Sequence, residues 1–294
     1  MVHSYQTIIL FRKERDEMAD IYGSHFEYGG VTSRQYGLII ANVETDRLTQ
    51  LYGSIEGMTV FNRGTKQRYL IDDDYTDSPI SFEVDIVVDE DGVIDRSNRR
   101  AIEKWLFNRH DYRKLYIDTF DDKYGETYDF TDGGQKRLYL NCRFVNPEKL
   151  EYNGGIVGYR ATLEADSGFW WQDTTTQSFT TENESNSDST IITVSVDTDI
   201  DDYTYPKVTI TVGESGGDII ISNNSDDTAR LTKFEDISAN ATVVLKGGLN
   251  YVSGQYYTKF NKRNFPRLLD GDNRVTIMGN VASIEFEFNN RRAL

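Results

Sequence analysis

The sequence of 294 residues holds one cysteine, Cys142, so it can form no internal disulfide. Its three histidines, His3, His25 and His110, lie far apart, and no paired-Cys or His-x-x-x-His spacing offers a zinc or iron site. Only 4 residues are proline and 23 are glycine, which excludes collagen-like and low-complexity chains. Lys and Arg number 32 against 48 Asp and Glu, a net charge of −16, which argues against a broad phosphate-gripping surface. No apolar run approaches the roughly 18 residues of a membrane span; near the start, Thr7–Phe11 is only a short one. Nothing reads as a signal peptide, so the expectation is a chain folded in a reducing cytoplasm without membrane insertion. The Gly-x-Ser-x-Gly elbow, the Walker loop and the dinucleotide fingerprint are all missing. A carboxylate pair for glycoside hydrolysis is defined in space rather than by spacing, and none stands out. The reading is a non-enzymatic chain with no metal and no cofactor.

What is abundant is aromatic: 13% of the residues, with 19 Tyr and 15 Phe. Aromatic and β-branched residues favour strands. Phe26–Leu38 carries the first organised pattern, in which Phe26 and Tyr28 alternate into Gly29-Gly30, and a polar turn with Ser33 leads through Tyr36-Gly37 to Leu38-Ile39-Ile40. This reads as strand, tight turn, strand, with Gly30 and Gly37 meeting the geometry and Phe26, Tyr28 and Leu38 forming core. Leu38–Val43, Met58–Phe61 and Lys114–Asp118 read as strands, and Ile80–Val88 alternates most clearly. One helix is expected over about 95–108, capped by Asp95 or Ser97, with Ile94, Ala101, Ile102, Trp105 and Leu106 on one face. Trp105 would anchor it to a sheet. Further alternation at Leu138, Leu140, Cys142 and Phe144 makes Cys142 a buried structural thiol.

Trp170-Trp171 closes this half as a sugar platform, a core plug or, preferably, an inter-domain seam. The following Thr/Ser/Asn/Glu-rich stretch shifts the composition. The expected organisation is an N-terminal extension over 1–22, a β-domain with one helix over 23–172, a polar linker over 173–190 and a β-sandwich or jelly roll over 191–294. The extension, with its mixed-charge run and a helix-compatible Met18, Ile21 and Tyr22, is an arm for a neighbouring subunit or a frayed end. Strands in the second half are expected at Ile191–Val196, Lys207–Val212, Asp218–Ser222, Arg230–Phe234, Thr242–Leu245, Arg274–Met278 and Ser283–Phe288. Asp72-Asp73-Asp74 and Asp197-x-Asp199-x-Asp201-Asp202 are the richest acidic clusters, and the second reads as a solvated loop, because it has Asp202 where a calcium loop needs Gly and Val208 where it needs Glu. Asp89-Glu90-Asp91-Gly92 reads as a turn.

In fixed order these motifs resemble the distal tail protein family of long-tailed bacteriophages. The resemblance rests on Phe26-x-Tyr28-x-Gly30, Ser33 and Tyr36-Gly37-Leu38, then Ile102-x-x-Trp105-Leu106 and Tyr116-Ile117-Asp118. It continues through Gly158-Tyr159, Leu163 and Trp170, then Tyr205-Pro206-x-Val208-x-Ile210 and Ile219-x-Ile221-x-Asn223. Phe265-Pro266, Leu268-Leu269, Gly271, Asn273 and Val275 complete it. The family implies a mainly β protein, an N-terminal β-sandwich-like domain with one helix followed by a sandwich similar to galectins and carbohydrate-binding modules. It implies a homohexameric ring in the virion tail, made in the cytoplasm of the bacterial host. The ring would join the tail tube protein to the tail-tip hub, hold receptor-binding or side-fibre proteins, and continue a channel that DNA passes without specific binding. The alternative is a carbohydrate-binding module for bacterial surface glycans, with Tyr251, Tyr256 and Tyr257 as candidate glycan or partner contacts.

Overall fold

The computed structural model describes residues 25–41, 55–62, 67–75, 79–89, 92–108, 111–117, 120–121, 126–127, 137–181, 183–185, 187–228 and 230–292. The 1–22 arm, His3, His110, the 128–130 segment and the turn at 132–134 lie outside them. The chain divides into two compact units at Trp171 and Gln172.

The first unit begins with β1 (Phe26–Tyr28) and β2 (Val31–Thr32). Tyr28 pairs with Val31, so the connection is Gly29-Gly30, with φ of +58° and +81°. Positive φ at both positions makes it a type I′ hairpin turn, which glycine adopts without the Cβ penalty. A 3₁₀ turn at Ser33–Tyr36 leads to β3 (Leu38–Ala41). Next come β4 (Ile55–Asn62), β5 (Gln67–Tyr75), β6 (Ser81–Val88), α1 (Arg96–Leu106) and β7 (Arg113–Ile117). The short β8 (Phe120–Asp121) and β9 (Glu126–Thr127) precede β10 (Leu138–Tyr152), β11 (Gly155–Ala165) and β12 (Trp170–Gln172).

The main sheet runs β2-β1-β7-β10-β11-β6-β3. The strand expected to answer Phe26–Tyr28 across the hairpin, Leu38–Ala41, therefore lies at the opposite edge and pairs with β6. The true hairpin partner is Val31–Thr32. Gly37, in the left-handed region at φ +60°, redirects the chain after the 3₁₀ turn. A flat seven-stranded sheet would separate its outer strands by about 29 Å, whereas the six steps from Thr32 to Leu38 reach about 22 Å at most. The sheet therefore curls until its edges approach, and His25 Nδ1 lies 3.1 Å from the Leu38 carbonyl oxygen. A curled sheet encloses its own core, which is how one sheet and one helix make a sandwich-like unit.

The helix closes that core. Asp95 caps it by accepting from the Ser97 amide at 3.2 Å. Ile102, Trp105 and Leu106 are its buried face. The Trp105 ring stacks on Phe26 at 5.6 Å and meets Tyr36 at 5.3 Å. Its Nε1–H donates to the Tyr28 carbonyl at 2.9 Å, so the indole buries no unpaired donor. Trp170 also belongs to this core, a plug rather than the preferred seam. Trp171 is half-buried and packs edge-on to Phe169.

The second unit contains β13 (Thr175–Thr180), β14 (Ser189–Val196), β15 (Lys207–Val212), β16 (Gly217–Asn223), β17 (Leu231–Ile237) and β18 (Thr242–Lys246). It continues with β19 (Tyr251–Val252), β20 (Phe260–Arg263), β21 (Gly271–Met278), β22 (Val281–Phe288) and β23 (Arg291–Arg292). Two antiparallel five-stranded sheets, β13-β22-β15-β18-β19 and β14-β21-β16-β17-β20, share one core of Val, Ile, Leu and Phe side chains. All seven strands expected in this half are present. The polar linker is not a linker over its full length: Thr175–Thr180 pairs residue for residue with β22. Its Thr/Gln/Ser composition reflects an edge position, where alternate side chains face water.

Candidate partner-binding surface

The tyrosine segment runs between edge strands of the two sheets of the sandwich. A 3₁₀ turn at Gly247–Leu249 ends at Asn250, whose φ of +48° turns the chain into β19. A second 3₁₀ segment, Gly254–Lys259, then carries it to β20, the edge of the other sheet. Lys259 Nζ reaches the Asp236 carboxylate at 3.2 Å and ties this crossing to β17. Tyr251 and Tyr257 are 46% and 48% exposed and Leu249 is 75% exposed, so the crossing presents large apolar groups to solvent. Tyr256 is different: it packs against the core. Lys246 Nζ lies 5.7 Å from the Tyr251 ring centre, within reach of a cation–π contact. An exposed aromatic beside a cation can meet a sugar face or a protein side chain. Lys246 was invisible as a partner in the sequence, because the β18–β19 register, Lys246 opposite Tyr251, is what joins them.

The motifs of the second half converge elsewhere, at one end of the sandwich. Asn223 Nδ2 donates to Asn273 Oδ1 at 2.8 Å and to the Arg267 carbonyl at 3.0 Å. Asn273, fully buried, accepts from the Leu269 amide and donates to the Leu269 and Gly271 carbonyls. Thr204 and Leu268 exchange backbone hydrogen bonds at 2.8 Å. Beside them Arg267 grips Asp226 bidentately at 2.7 and 3.0 Å and lies 3.5 Å from the Tyr203 ring centre. This pairing holds the Asp226 carboxyl well below the usual carboxylate range. The cluster is an internal clamp on loops, which explains the spacing of its residues without any ligand.

The remaining chemical candidates resolve into structure. Cys142 is buried in the first core, and burial pushes its thiol far up, so it is no nucleophile. Tyr159 is pushed up to about 12 by burial and by Glu103, to which its hydroxyl donates at 3.1 Å. Asp197 and Asp199 pair with Arg292, and Asp202 with Arg291. These arginines occupy the acidic run that resembles the start of a calcium loop. Among the described residues no group of three or more His, Cys, Asp or Glu side chains is placed to hold a metal ion. Asp72-Asp73-Asp74 lies along β5.

Residues 21–167 match a family model described as the phage tail protein N-terminal domain, and residues 169–288 match one described as the phage tail C-terminal domain. No curated protein matches the chain. Among solved structures it is similar to the SPP1 Dit (gp 19.1) protein, described as a paradigm of the hub adsorption apparatus in phages infecting Gram-positive hosts. The TM-score is 0.59 at 12% identity, over 92% of this chain and 99% of that one. It is also similar to a chain of the phage P2 baseplate in its activated conformation with Ca, with a TM-score of 0.53 at 9% identity, over 94% and 100%. At these identities the likeness concerns the fold.

Proposed function

Because the chain belongs to a family of phage tail proteins, and is thus a structural component of a tail, we propose that six copies close into a ring at the tail's far end. The ring joins the tail tube protein to the tail-tip hub and presents the second unit for receptor-binding or side-fibre proteins. It acts by binding, not catalysis, and is assembled after synthesis in the cytoplasm of the bacterial host. The observation that carries this reading is the hairpin of β4 and β5, whose strands pair only with each other among the described residues. A lone two-stranded hairpin is at best marginally stable in water, and its open edges are templates for another chain. In a ring, where each subunit meets its neighbour head to tail, the neighbouring subunit completes it. Charge agrees with a conduit: six copies carry −96 (6 × −16), and the part of it that faces the lumen would keep passing DNA from adhering. Replacing residues 55–75 by a short Gly-Ser linker should leave a folded monomer in light scattering. Rings that persist without the hairpin would remove its part in assembly.

A second reading, recognition of bacterial surface glycans by the sandwich, is favoured by the exposure of Tyr251 and Tyr257 and by Lys246 beside Tyr251. Glycan-array binding lost on Tyr251→Ala or Tyr257→Ala would support it, and a blank array would remove it.

A further inference from the structure

The strand β14 is the edge of its sheet, paired with β21 at all eight positions from Ser189 to Val196 without a register shift. It reads Ser-Thr-Ile-Ile-Thr-Val-Ser-Val. It has no charge, no proline and no bulge, the devices by which proteins blunt an open edge. One position is occupied. The side chain of Gln177 lies against Ser195, its Nε2 donating to the Ser195 carbonyl at 2.6 Å and its Oε1 accepting from the Ser195 amide at 3.1 Å. Ser195 therefore turns its backbone groups away from β21. By the alternation of antiparallel ladders, Ile191 and Thr193 do the same. Neither has a backbone partner on that side among the described residues.

The outer face beside this edge is apolar. Ile191 is 54% exposed, and Met278 and Leu231 are each 39% exposed. Ser189 pairs with Met278, and Ile191 with Thr276, so Met278 is the diagonal neighbour of Ile191. Ile220 lies opposite Met278, and Leu231 opposite Ser222, which continues the line across four strands. The flanking chain is acidic in balance, although Arg274 lies opposite Thr193 and Arg291 and Arg292 pair with Asp202, Asp197 and Asp199. Residues 172–206 contain eight Asp or Glu and no Lys or Arg.

We propose that the open edge of β14 receives an extended strand of a partner protein, apolar at alternate positions and flanked by Lys or Arg. Backbone groups of Ile191 and Thr193 would pair with it, an apolar side chain would rest on Ile191 and Met278, and Gln177 would mark its end. A second copy of the chain fits less well, because it would set one acidic flank against another. The inference is independent of the ring.

The test is fluorescence anisotropy of the full chain with a labelled peptide, Lys-Lys-Thr-Val-Thr-Val-Thr-Lys-Lys. Saturable binding is expected. Thr193→Pro removes an amide that serves no ladder bond within the sheet, and should weaken binding about tenfold. Gln177→Ala frees the Ser195 groups and should tighten it. A peptide N-methylated at alternate residues should bind poorly, a comparison that needs no protein variant. Absence of saturable binding would overturn the proposal. So would equal affinity for the N-methylated peptide, which is charge attraction alone, or a concentration-dependent dimer abolished by Thr193→Pro, which assigns the edge to a second copy.

Discussion

Asp226 and Arg267 form the most enclosed ion pair of the second unit, with side chains 3% and 11% exposed. Removing one partner of such a pair strands the other charge and costs about 3–5 kcal/mol. Asp226→Asn should therefore lower the urea midpoint of the second unit. The folded carboxyl titrates below its ordinary 3.8, so its stabilisation is complete above that pH and is lost as pH falls below it. The wild-type protein should lose stability on acidification below about pH 4 more steeply than the Asn variant, whose curve lacks this contribution. Parallel curves would assign acid sensitivity elsewhere. Gly37 is the corresponding residue of the first unit. Its φ is +60°, and a Cβ there would sit 3.2 Å from Asp89 Oδ1, while its carbonyl accepts from the Asp89 amide at 2.9 Å. Gly37→Val should impair folding of the unit and any assembly built on it, seen as loss of soluble folded protein. Normal folding and assembly would show the turn to be dispensable. Gly37 was legible from its place between a polar turn and an apolar run. Asp226 was not, because its partner lies 41 residues away and only the fold brings them together.

The helix α1 is the element on which the first unit closes. Trp105 packs against Phe26 of β1, the strand beside the β2 edge, and against Tyr36 in the connection between the two edges. Trp105→Ala should cost about 3–5 kcal/mol in urea unfolding. Trp105→Phe keeps a ring but loses the donor to the Tyr28 carbonyl, so an intermediate loss is expected; equal losses would place the whole effect in that hydrogen bond. Helix and strands with one strongly apolar face could be read from periodicity, as for Ile80–Val88 and Ile102–Leu106. Thr175–Thr180 could not. An edge strand whose exposed alternate positions are Thr176, Ser178 and Thr180 has the composition of a linker, and only its register with β22 distinguishes it. Leu38–Ala41 shows a second limit: adjacent strands in sequence suggested a hairpin, while a five-residue turn carries the chain from one sheet edge to the other. The tyrosine surface was legible only as a set of candidates, because exposure separates Tyr251 and Tyr257 from the packed Tyr256.

At the scale of the whole molecule, the order of weak motifs carried the family where no single motif did. That order reflects two successive β units, each holding its motifs in its own core or loop clamp. The proposed assembly adds what one chain does not display: a neighbour for the hairpin of β4 and β5, and a lumen for an acidic surface. Negative-stain electron microscopy of the purified full chain, at concentrations where light scattering shows assembly, addresses this most directly. The account predicts closed rings of six subunits with a central opening; a strictly monomeric particle at high concentration, alone and when mixed with tail tubes, would contradict it.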